Sequence, residues 1–386
     1  MESRNYDKPV VITSAATIFA LAAVMLALFS SAAIAQGWKI VPSPSTGTIN
    51  QLNAAVAISG SDAWAVGTTG LPDFNSQGVT LHWNGRTWQS IPNPAPAGAA
   101  SVNLLAVTAA ASNDVWAVGR WADPSTFTEN GLIIHWDGKV WRIADAPALT
   151  AGAFQAVTAI APDDVWAVGQ DGVGTFAEHW DGQSWSVVPT PNQQQGGDLT
   201  AVGGTSSTDV WAVGSFLDTK FRTHTQILHW DGTTWLISPS PDNGESSELE
   251  SVAAISSNDV WVVGHSFPSN TATLTEHWDG HLWMVVPGPS LGIAQLNAVV
   301  AVSSKDVWTV GSVVGPNAQA QTLAENWNGT KWVFSPTPPV SSQPRSNQTS
   351  EFFGIAVSPK AVLAVGEAIG NLSQSPQQTL MEVHVR

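Results

Sequence analysis

The chain has 386 residues, a formal net charge of −16 at pH 7 and no cysteine. Without Cys there is no disulfide, thiolate metal site or thiol nucleophile. The acidic balance disfavours nucleic acid and anionic membrane surfaces as partners.

The first 35 residues read as a targeting segment. Arg4 and Lys8 precede an uncharged, mostly apolar stretch over residues 10–35, which ends in a small-x-small pattern. This pattern predicts a cleaved signal peptide over residues 1–35. The stretch is also long enough to cross a bilayer, so an uncleaved membrane anchor over residues 10–35 stays an alternative. We therefore expect an exported protein, either secreted, periplasmic or at the cell surface.

One phrase recurs through the rest of the chain. It reads Asp-Val-Trp-Ala-Val-Gly, then His-Trp-Asp-Gly-x-x-Trp, then Pro-x-Pro. Its first Trp stands at Trp64, Trp116, Trp166, Trp211, Trp261 and Trp308, at successive spacings of 52, 50, 45, 50 and 47 residues. A period near fifty with several strand-like runs is typical of a propeller array.

The second repeat shows what each copy builds. Apolar, strand-forming runs occupy residues 104–109, 115–119, 132–136 and 140–143. The polar residues 112–114 predict a turn, and Asp-Gly at 137–138 predicts a hairpin. Four strands joined by hairpins make one propeller blade. We name the strands a to d in chain order.

A seventh copy is split between the two ends of the propeller segment. Residues 381–386 read as a third strand that stops where Asp-Gly is due, and residues 37–44 match a fourth strand. Joining them closes a ring and removes two open sheet edges. The sequence therefore predicts an all-β, seven-bladed propeller over residues 36–386, with four-stranded blades, as a monomer.

These motifs resemble the kelch repeat of seven-bladed propellers such as the central domain of galactose oxidase. In both, an aromatic-apolar run ends in Gly and a later Trp leads to a Pro-rich crossing. One Gly stands here where kelch repeats have two, and the two aromatics, such as Trp83 and Trp88, are five residues apart. The repeats are more similar to those of exported bacterial propellers that read Asp-Val-Trp-Ala-Val-Gly and His-Trp-Asp-Gly. The resemblance implies a fold and no particular activity.

The repeat also sorts the loops by face. The short a–b and c–d turns are nearly identical and share one face, whereas the long, variable b–c loops and d–a crossings share the other. Function usually resides on variable loops of a rigid scaffold. Residues outside the repeat are therefore the candidate ligand-binding residues: Trp121, Asp123, Phe216, Lys220, Phe221, Arg222, His224, His265 and Arg345.

Five histidines precede a Trp at equivalent positions: His82, His135, His179, His229 and His277. Equivalent positions on different blades cannot converge on one ion, because zinc needs its ligands about 2 Å from one point. We interpret these histidines as structural and the Asp of each a–b turn as a turn cap. We expect no metal and no cofactor.

Two functional hypotheses from different classes remain. The first is a non-catalytic binding module that contacts a protein or a polysaccharide through its loop face. The alternative is a carbohydrate-active hydrolase or lyase that uses acidic loop residues such as Glu245, Glu248 and Glu250. Sialidase and copper-radical chemistry are disfavoured, because both require Tyr and the only one, Tyr6, lies in the targeting segment. We favour the binding module, and thus no enzyme activity.

Overall fold

The structure, a computed structural model, describes residues 37–45, 47–70, 75–126, 128–149, 151–193, 195–241, 246–267, 273–314, 319–338, 349–369 and 377–386. All regular elements among these residues are β-strands. The predicted targeting segment over residues 1–35 and the candidates Arg345 and Glu245 lie outside these ranges. Within them, the all-β prediction is confirmed.

The strands form seven antiparallel sheets of four strands each, in the order a-b-c-d. The a strands are β2 (Ile49–Ser59), β6 (Ser101–Ala111), β10 (Ala153–Ala161), β14 (Gly197–Ser206), β18 (Ser246–Ser256), β22 (Ala294–Ser303) and β26 (Thr349–Ser358). The b strands are β3 (Asp62–Gly70), β7 (Asp114–Ala122), β11 (Asp164–Gln170), β15 (Asp209–Leu217), β19 (Asp259–Phe267), β23 (Asp306–Val314) and β27 (Ala361–Ile369).

The two outer strand positions complete the blades. The c strands are β4 (Ser76–Trp83), β8 (Glu129–Trp136), β12 (Thr175–Trp180), β16 (Thr223–Trp230), β20 (Leu274–Trp278), β24 (Ala320–Trp327) and β28 (Gln378–Val385). The d strands are β5 (Trp88–Ser90), β9 (Trp141–Ile143), β13 (Trp185–Val187), β17 (Trp235–Ile237), β21 (Trp283–Val285), β25 (Trp332–Phe334) and β1 (Trp38–Ile40). Blade 1 begins at β2, and blade 7 consists of β26, β27, β28 and β1.

Blade 7 is closed by both ends of the propeller segment, as predicted. In the antiparallel pair of β1 with β28, Trp38 lies opposite His384 and Ile40 opposite Glu382. Consecutive a strands contact one another around the whole ring, including β26 with β2. The seven-bladed ring is thus shown, and its last blade depends on a strand from the other end of the sequence.

Every a strand carries a β-bulge at its loop end. At this end of each blade one residue is left out of the ladder between the a and b strands: Asn53, Leu105, Gln155, Thr200, Glu250, Asn297 and Phe353. Blades 1 to 6 have a second register shift near the a–b turn. A bulge redirects its side chain. Three bulge side chains donate hydrogen bonds to a backbone carbonyl of the next blade, namely Asn53 to Leu104, Thr200 to Leu249 and Asn297 to Phe352.

The core between blades is built from the repeated Trp residues. In the interface of blades 1 and 2, the ring of Trp64 lies 5.0 Å from Trp136 and 5.2 Å from Trp141, the latter edge-on. The same geometry recurs at other interfaces because the same residues recur. Such rings bury large apolar areas and prefer edge-on or offset contacts.

The indole N–H groups of the d strands are only partly satisfied. Trp283 donates to Ser238 Oγ of the preceding blade at 3.1 Å, and Trp38 donates likewise to Ser335 Oγ at 3.1 Å. Ala144 holds the same position as Ser238 in blade 2, and the buried indole N–H of Trp185 has no hydrogen-bond partner among the described residues.

We therefore expect opposite effects from two small substitutions. Ser238→Ala should lower the free energy of unfolding by about 1–3 kcal/mol, because the buried N–H of Trp283 loses its acceptor. Ala144→Ser should raise it by about 0.5–1.5 kcal/mol by giving Trp185 an acceptor. Urea denaturation of both variants checks this, and an unchanged midpoint in both would contradict it.

Buried glutamates occupy four interfaces between blades. Glu178, Glu276 and Glu325 stand on c strands, opposite the residue after the repeat Trp, and are fully buried. Glu382 holds the same position in blade 7, where Leu363 replaces the Trp, and is also fully buried. The other three blades have Leu81, Ile134 and Leu228 there. Burial raises the pKa of Glu178 to about 7 and the pKa values of Glu325 and Glu382 to about 8. These three carboxyls are therefore largely protonated at mildly acidic pH.

Candidate functional site

The two faces of the ring differ as predicted. The c–d turns lie against the a–b turns, with Gly138 beside Asn113 and Gly182 beside Asp163. The d–a crossings lie against the ends of the b strands instead, as shown by the hydrogen bond from Gln195 N–H to the Leu217 carbonyl. We call the first surface the turn face and the second the loop face.

A cavity of about 320 Å³ opens on the loop face where blades 3, 4 and 5 meet. Its walls are the b–c turn of blade 3, the crossing into β14, the end of β15 and the start of β18. Two carboxylates line it, Asp198 and Glu248, together with Ser215 and Phe216. Ser215 Oγ donates to Asp198 Oδ1 at 2.8 Å, which fixes that carboxylate. We call this space the acidic cavity.

Gln226 lies behind the acidic cavity and breaks the repeat. It stands opposite Gly214 on β16 and is 0 % exposed. The same position is apolar in the other six blades, with Val79, Leu132, Phe176, Leu274, Leu323 and Leu380. Its Oε1 has no hydrogen-bond partner among the described residues and lies 2.7 Å from where a Cβ of Gly197 would be. Gly197 lines the cavity, so this oxygen points at the cavity wall.

Glu248 belongs to a second group that lies beside the cavity. In the β18–β19 ladder it is opposite His265, and their Oε2 and Nε2 atoms are 3.7 Å apart. The bulge residue Glu250 reaches the other side of the imidazole, with Oε1 3.6 Å from Nδ1. Burial raises the pKa of Glu250 to about 7, helped by Glu248 and Asp198. Burial also lowers the pKa of His265, against the opposing effect of Glu248.

One oxygen of each of Glu248 and Glu250 and one nitrogen of His265 lie within 4.8 Å of one another. Carboxylate and imidazole are possible ligands of a divalent cation. The same three groups could also bind a protonated amine or share a proton. A proton is favoured at and below neutral pH, because Glu250 holds it up to about pH 7.

The b–c turn of blade 4 is organised by a single carboxylate. Asp218 Oδ1 accepts the backbone N–H groups of Lys220 and Arg222 at 2.7 and 2.9 Å. Its Oδ2 accepts from Arg222 Nε at 2.8 Å and lies 3.2 Å from His224 Nε2. These hydrogen bonds, the backbone bond from Arg222 first, hold the pKa of Asp218 well below its usual range.

This turn presents Phe221 to solvent. The residue is 75 % exposed and has φ of 59°, in the left-handed region that most side chains avoid. Behind it, His224 stacks on Phe216 with ring centroids 5.3 Å apart. Of the candidates from the sequence, Phe216, Lys220, Phe221, Arg222 and His224 therefore form one group next to the acidic cavity, with His265 on the following blade.

Two other candidates lie apart from this group. Trp121 is on β7 of blade 2, where it is partly buried and packs against the core between blades 1 and 2. Asp123 accepts the side-chain and backbone hydrogen bonds of Ser125, which lower its pKa. Neither residue lines the acidic cavity. The structure gives both a local packing or turn role, and their role in binding stays a prediction.

A larger cavity of about 580 Å³ lies on the loop face between blades 1 and 2. Its described lining consists of small, apolar and amide or hydroxyl side chains, among them Ser76, Gln77, Asn93 and Ala99. None of the described residues that line it is titratable. We therefore place the candidate site at the smaller acidic cavity, where charge and departures from the repeat coincide.

The repeated histidines are distributed around the ring, as expected. Each Nε2 lies 2.8–2.9 Å from the Asp that begins the b strand of its own blade. These Asp residues therefore bind His across the sheet, and their interpretation as turn caps was wrong. The c–d turn residue caps its turn instead, as Asp137 does by accepting the N–H groups of Lys139 and Val140.

The histidine arrangement predicts a metal-free core. Each imidazole is already paired with a carboxylate on its own blade, so five histidines offer no shared coordination sphere. Elemental analysis of purified protein should find no stoichiometric transition metal. One tightly bound zinc or copper ion per chain that is lost on His179→Ala would contradict this.

No helix among the described residues is long and apolar enough to cross a membrane. No protein-family model matches the chain. No curated protein matches it by sequence.

Solved structures match the chain across most of its length. The structure "YCF48 bound to D1 peptide" has a TM-score of 0.57 at 15 % identity and covers 90 % of this chain and 95 % of that one. YCF48 from Cyanidioschyzon merolae has a TM-score of 0.56 at 14 % identity, covering 90 % and 98 %. A GH74 xyloglucanase from Xanthomonas campestris has a TM-score of 0.53 at 12 % identity, covering 89 % and 55 %. At these identities the similarity shows the fold alone, a seven-bladed β-propeller.

Proposed function

We propose that this protein is a non-catalytic binding module that holds a segment of a protein or polysaccharide partner on its loop face, at blades 4 and 5. One observation carries the proposal. Phe216, which departs from the repeat, lines a cavity there together with Asp198, Ser215 and Glu248. The Asp218 turn lies next to this cavity and is held by the hydrogen bond from Arg222. Binding sites are typically concave, largely preformed and supplied with a few oriented polar groups.

The fold allows this role. One similar propeller, YCF48, is bound to D1 peptide, and another is a xyloglucanase. A binding protein and a hydrolase therefore share this architecture, and the side chains of the site must decide between them. We further propose that the repeat is kelch-like, on its sequence pattern, and that the chain is exported, on the pattern of its first 35 residues.

A hydrolase is the second candidate, because two carboxylates with different environments can act as acid and base. Glu250 has a pKa raised to about 7 and lies close to Glu248. In glycosidases, however, the two carboxyl groups flank the bond that is cleaved, about 5–9.5 Å apart. Glu248 and Glu250 come from one strand and enclose His265 between them. That arrangement favours binding over glycoside cleavage.

The test is to probe the full chain with a peptide array and a glycan array, and to assay the glycan hits for new reducing ends. We expect a hit that is bound and left intact. Arg222→Ala should weaken that hit at least about tenfold. The turn that carries Phe221 and leads into His224 would lose the hydrogen bond from Arg222 Nε to Asp218. Asn113→Ala on the turn face is the control and should leave binding unaltered.

Cleavage of a bound glycan would support the hydrolase instead of the binding module. Release of reducing ends by the native chain, abolished by Glu250→Gln, would show a hydrolase. A hit that binds Arg222→Ala as tightly as the native chain would move the site away from blade 4.

A further inference from the structure

The acidic cavity offers acceptors of hydrogen bonds and no cation of its own. Asp198 and Glu248 line it, and no Lys or Arg is found among its lining residues in the described part of the chain. Two carboxylates facing one space repel each other unless a positive group lies between them. The cavity is therefore complementary in charge to a cationic group.

Gln226 points independently to a ligand with hydrogen-bond donors. It is the polar residue in a position that six other blades fill with an apolar side chain. Its amide Nε2 is 3.5 Å from the carbonyl of Pro191, whereas Oε1 has no hydrogen-bond partner among the described residues and is directed at Gly197. A buried polar atom without a partner costs about 1–3 kcal/mol. Such a residue is more readily explained by a ligand that supplies a donor than by stability.

The neighbouring cations of the site do not neutralise the cavity. The guanidinium of Arg222 is bound to Asp218, with NH2 2.7 Å from Oδ2. The imidazole of His265 lies beside Glu248 with Nε2 3.7 Å from Oε2, which is longer than a hydrogen bond. Glu248 is also partly exposed, with 37 % of its side-chain surface accessible. Both lining carboxylates can thus meet an incoming group.

We infer that the acidic cavity binds the guanidinium of an arginine side chain on a basic peptide segment of the partner. A guanidinium is planar, carries five N–H donors and pairs with carboxylates through two parallel hydrogen bonds. Asp198 and Glu248 would accept these bonds, and Gln226 Oε1 would accept from a donor that reaches past Gly197. The ring of Phe216, which also lines the cavity, suits a stacked guanidinium. This inference rests on the proposed binding function and names its ligand.

The experiment titrates capped Gly-Arg-Gly into the full chain and compares it with the citrulline peptide, which has the same shape without the charge. We expect the arginine peptide to bind at least about tenfold more tightly, since the charge-assisted pairs are lost with citrulline. Glu248→Gln should weaken the arginine peptide by a similar factor. Asp163→Asn removes one exposed charge from the turn face and is the matched control, which should change binding less than about twofold.

Gln226→Leu is the sharpest variant, because it restores the residue type of the repeat and removes no charge. It should fold at least as stably as the native chain and bind the arginine peptide more weakly by about threefold or more. Equal binding of arginine and citrulline peptides, or equal losses in Glu248→Gln and Asp163→Asn, would overturn the inference. Tighter binding of a glucosamine oligomer than of the arginine peptide would assign the cavity to a cationic polysaccharide instead.

The binding function and the arginine ligand can be contradicted by different results. If an array ligand is weakened by Arg222→Ala but Gly-Arg-Gly does not bind, only the arginine assignment is wrong. If no array ligand depends on the loop face, the binding function is wrong as well.

Discussion

Glu325→Leu is expected to stabilise the propeller at pH 8 by roughly 2–4 kcal/mol and to change its stability much less at pH 5. Glu325 is fully buried, and neither carboxylate oxygen has a hydrogen-bond partner among the described residues. Its pKa in the folded chain is about 8, against an ordinary value of 4.5. Leucine is compatible with this position, because Leu81 and Leu228 hold it in blades 1 and 4.

The direction of the pH effect follows from proton binding. A carboxyl with a raised pKa binds its proton more tightly in the folded chain than in the unfolded chain. Its contribution to stability is complete below about pH 4.5 and is lost as the pH rises through 7 to 8. The native chain should therefore lose stability between pH 5 and pH 8. Denaturant unfolding at both pH values measures this, and a native stability that rises with pH, with no gain in Glu325→Leu at pH 8, would contradict it.

Removal of the N-terminal strand is expected to have the second large effect. Trp38 is 5 % exposed and packs edge-on against Trp308, with centroids 5.8 Å apart. It donates to Ser335 Oγ, and its strand pairs with β28. Trp38→Ala should cost about 3–5 kcal/mol, the usual range for a buried Trp.

A chain that begins at Ser45 should lose still more, because it also lacks the ladder hydrogen bonds of β1 and exposes the edge of β28. Lys39→Ala is the matched control on the same strand, since its side chain is exposed. Thermal unfolding compares the three. A truncated chain that melts within a degree or two of the native one would show that blade 7 is stable without β1.

The fold could be predicted from the sequence because each repeat encodes one four-stranded blade. Asp-Gly and Ser-x-Asp turns, strand-forming runs and a seventh copy split between β28 and β1 each have one structural solution, and together they predict the ring. Strand ends were less accurate: the a strand of blade 2 spans Ser101–Ala111, where the apolar run suggested residues 104–109. Backbone pairing continues through polar residues such as Asn103, which hydropathy alone does not mark.

The candidate site residues stay a prediction. Departure from the repeat directed attention to blade 4, where Phe216 and His224 lie together. The search for departures from the repeat did not identify Gln226 and Asp198. Gln226 stands out only when the residues opposite the Gly of each b strand are compared across the blades. That comparison requires the pairing register of the b and c strands. The register cannot be read from the sequence, because the b–c loops differ in length. The proximity of Asp198 and Glu248 depends on the curvature of the ring, and no spacing along the chain encodes it.

The most direct test of the whole account is hydrogen–deuterium exchange of the full chain with and without the tightest ligand from the arrays. The account predicts protection on the loop face, in residues 195–198, 215–224 and 246–250, around the acidic cavity. Backbone amides of the Asp-Gly turns at residues 137–138, 181–182 and 231–232 should exchange as in the free protein. Protection confined to those turns, with none around the acidic cavity, would show that this propeller binds through its turn face and that the site described above is wrong.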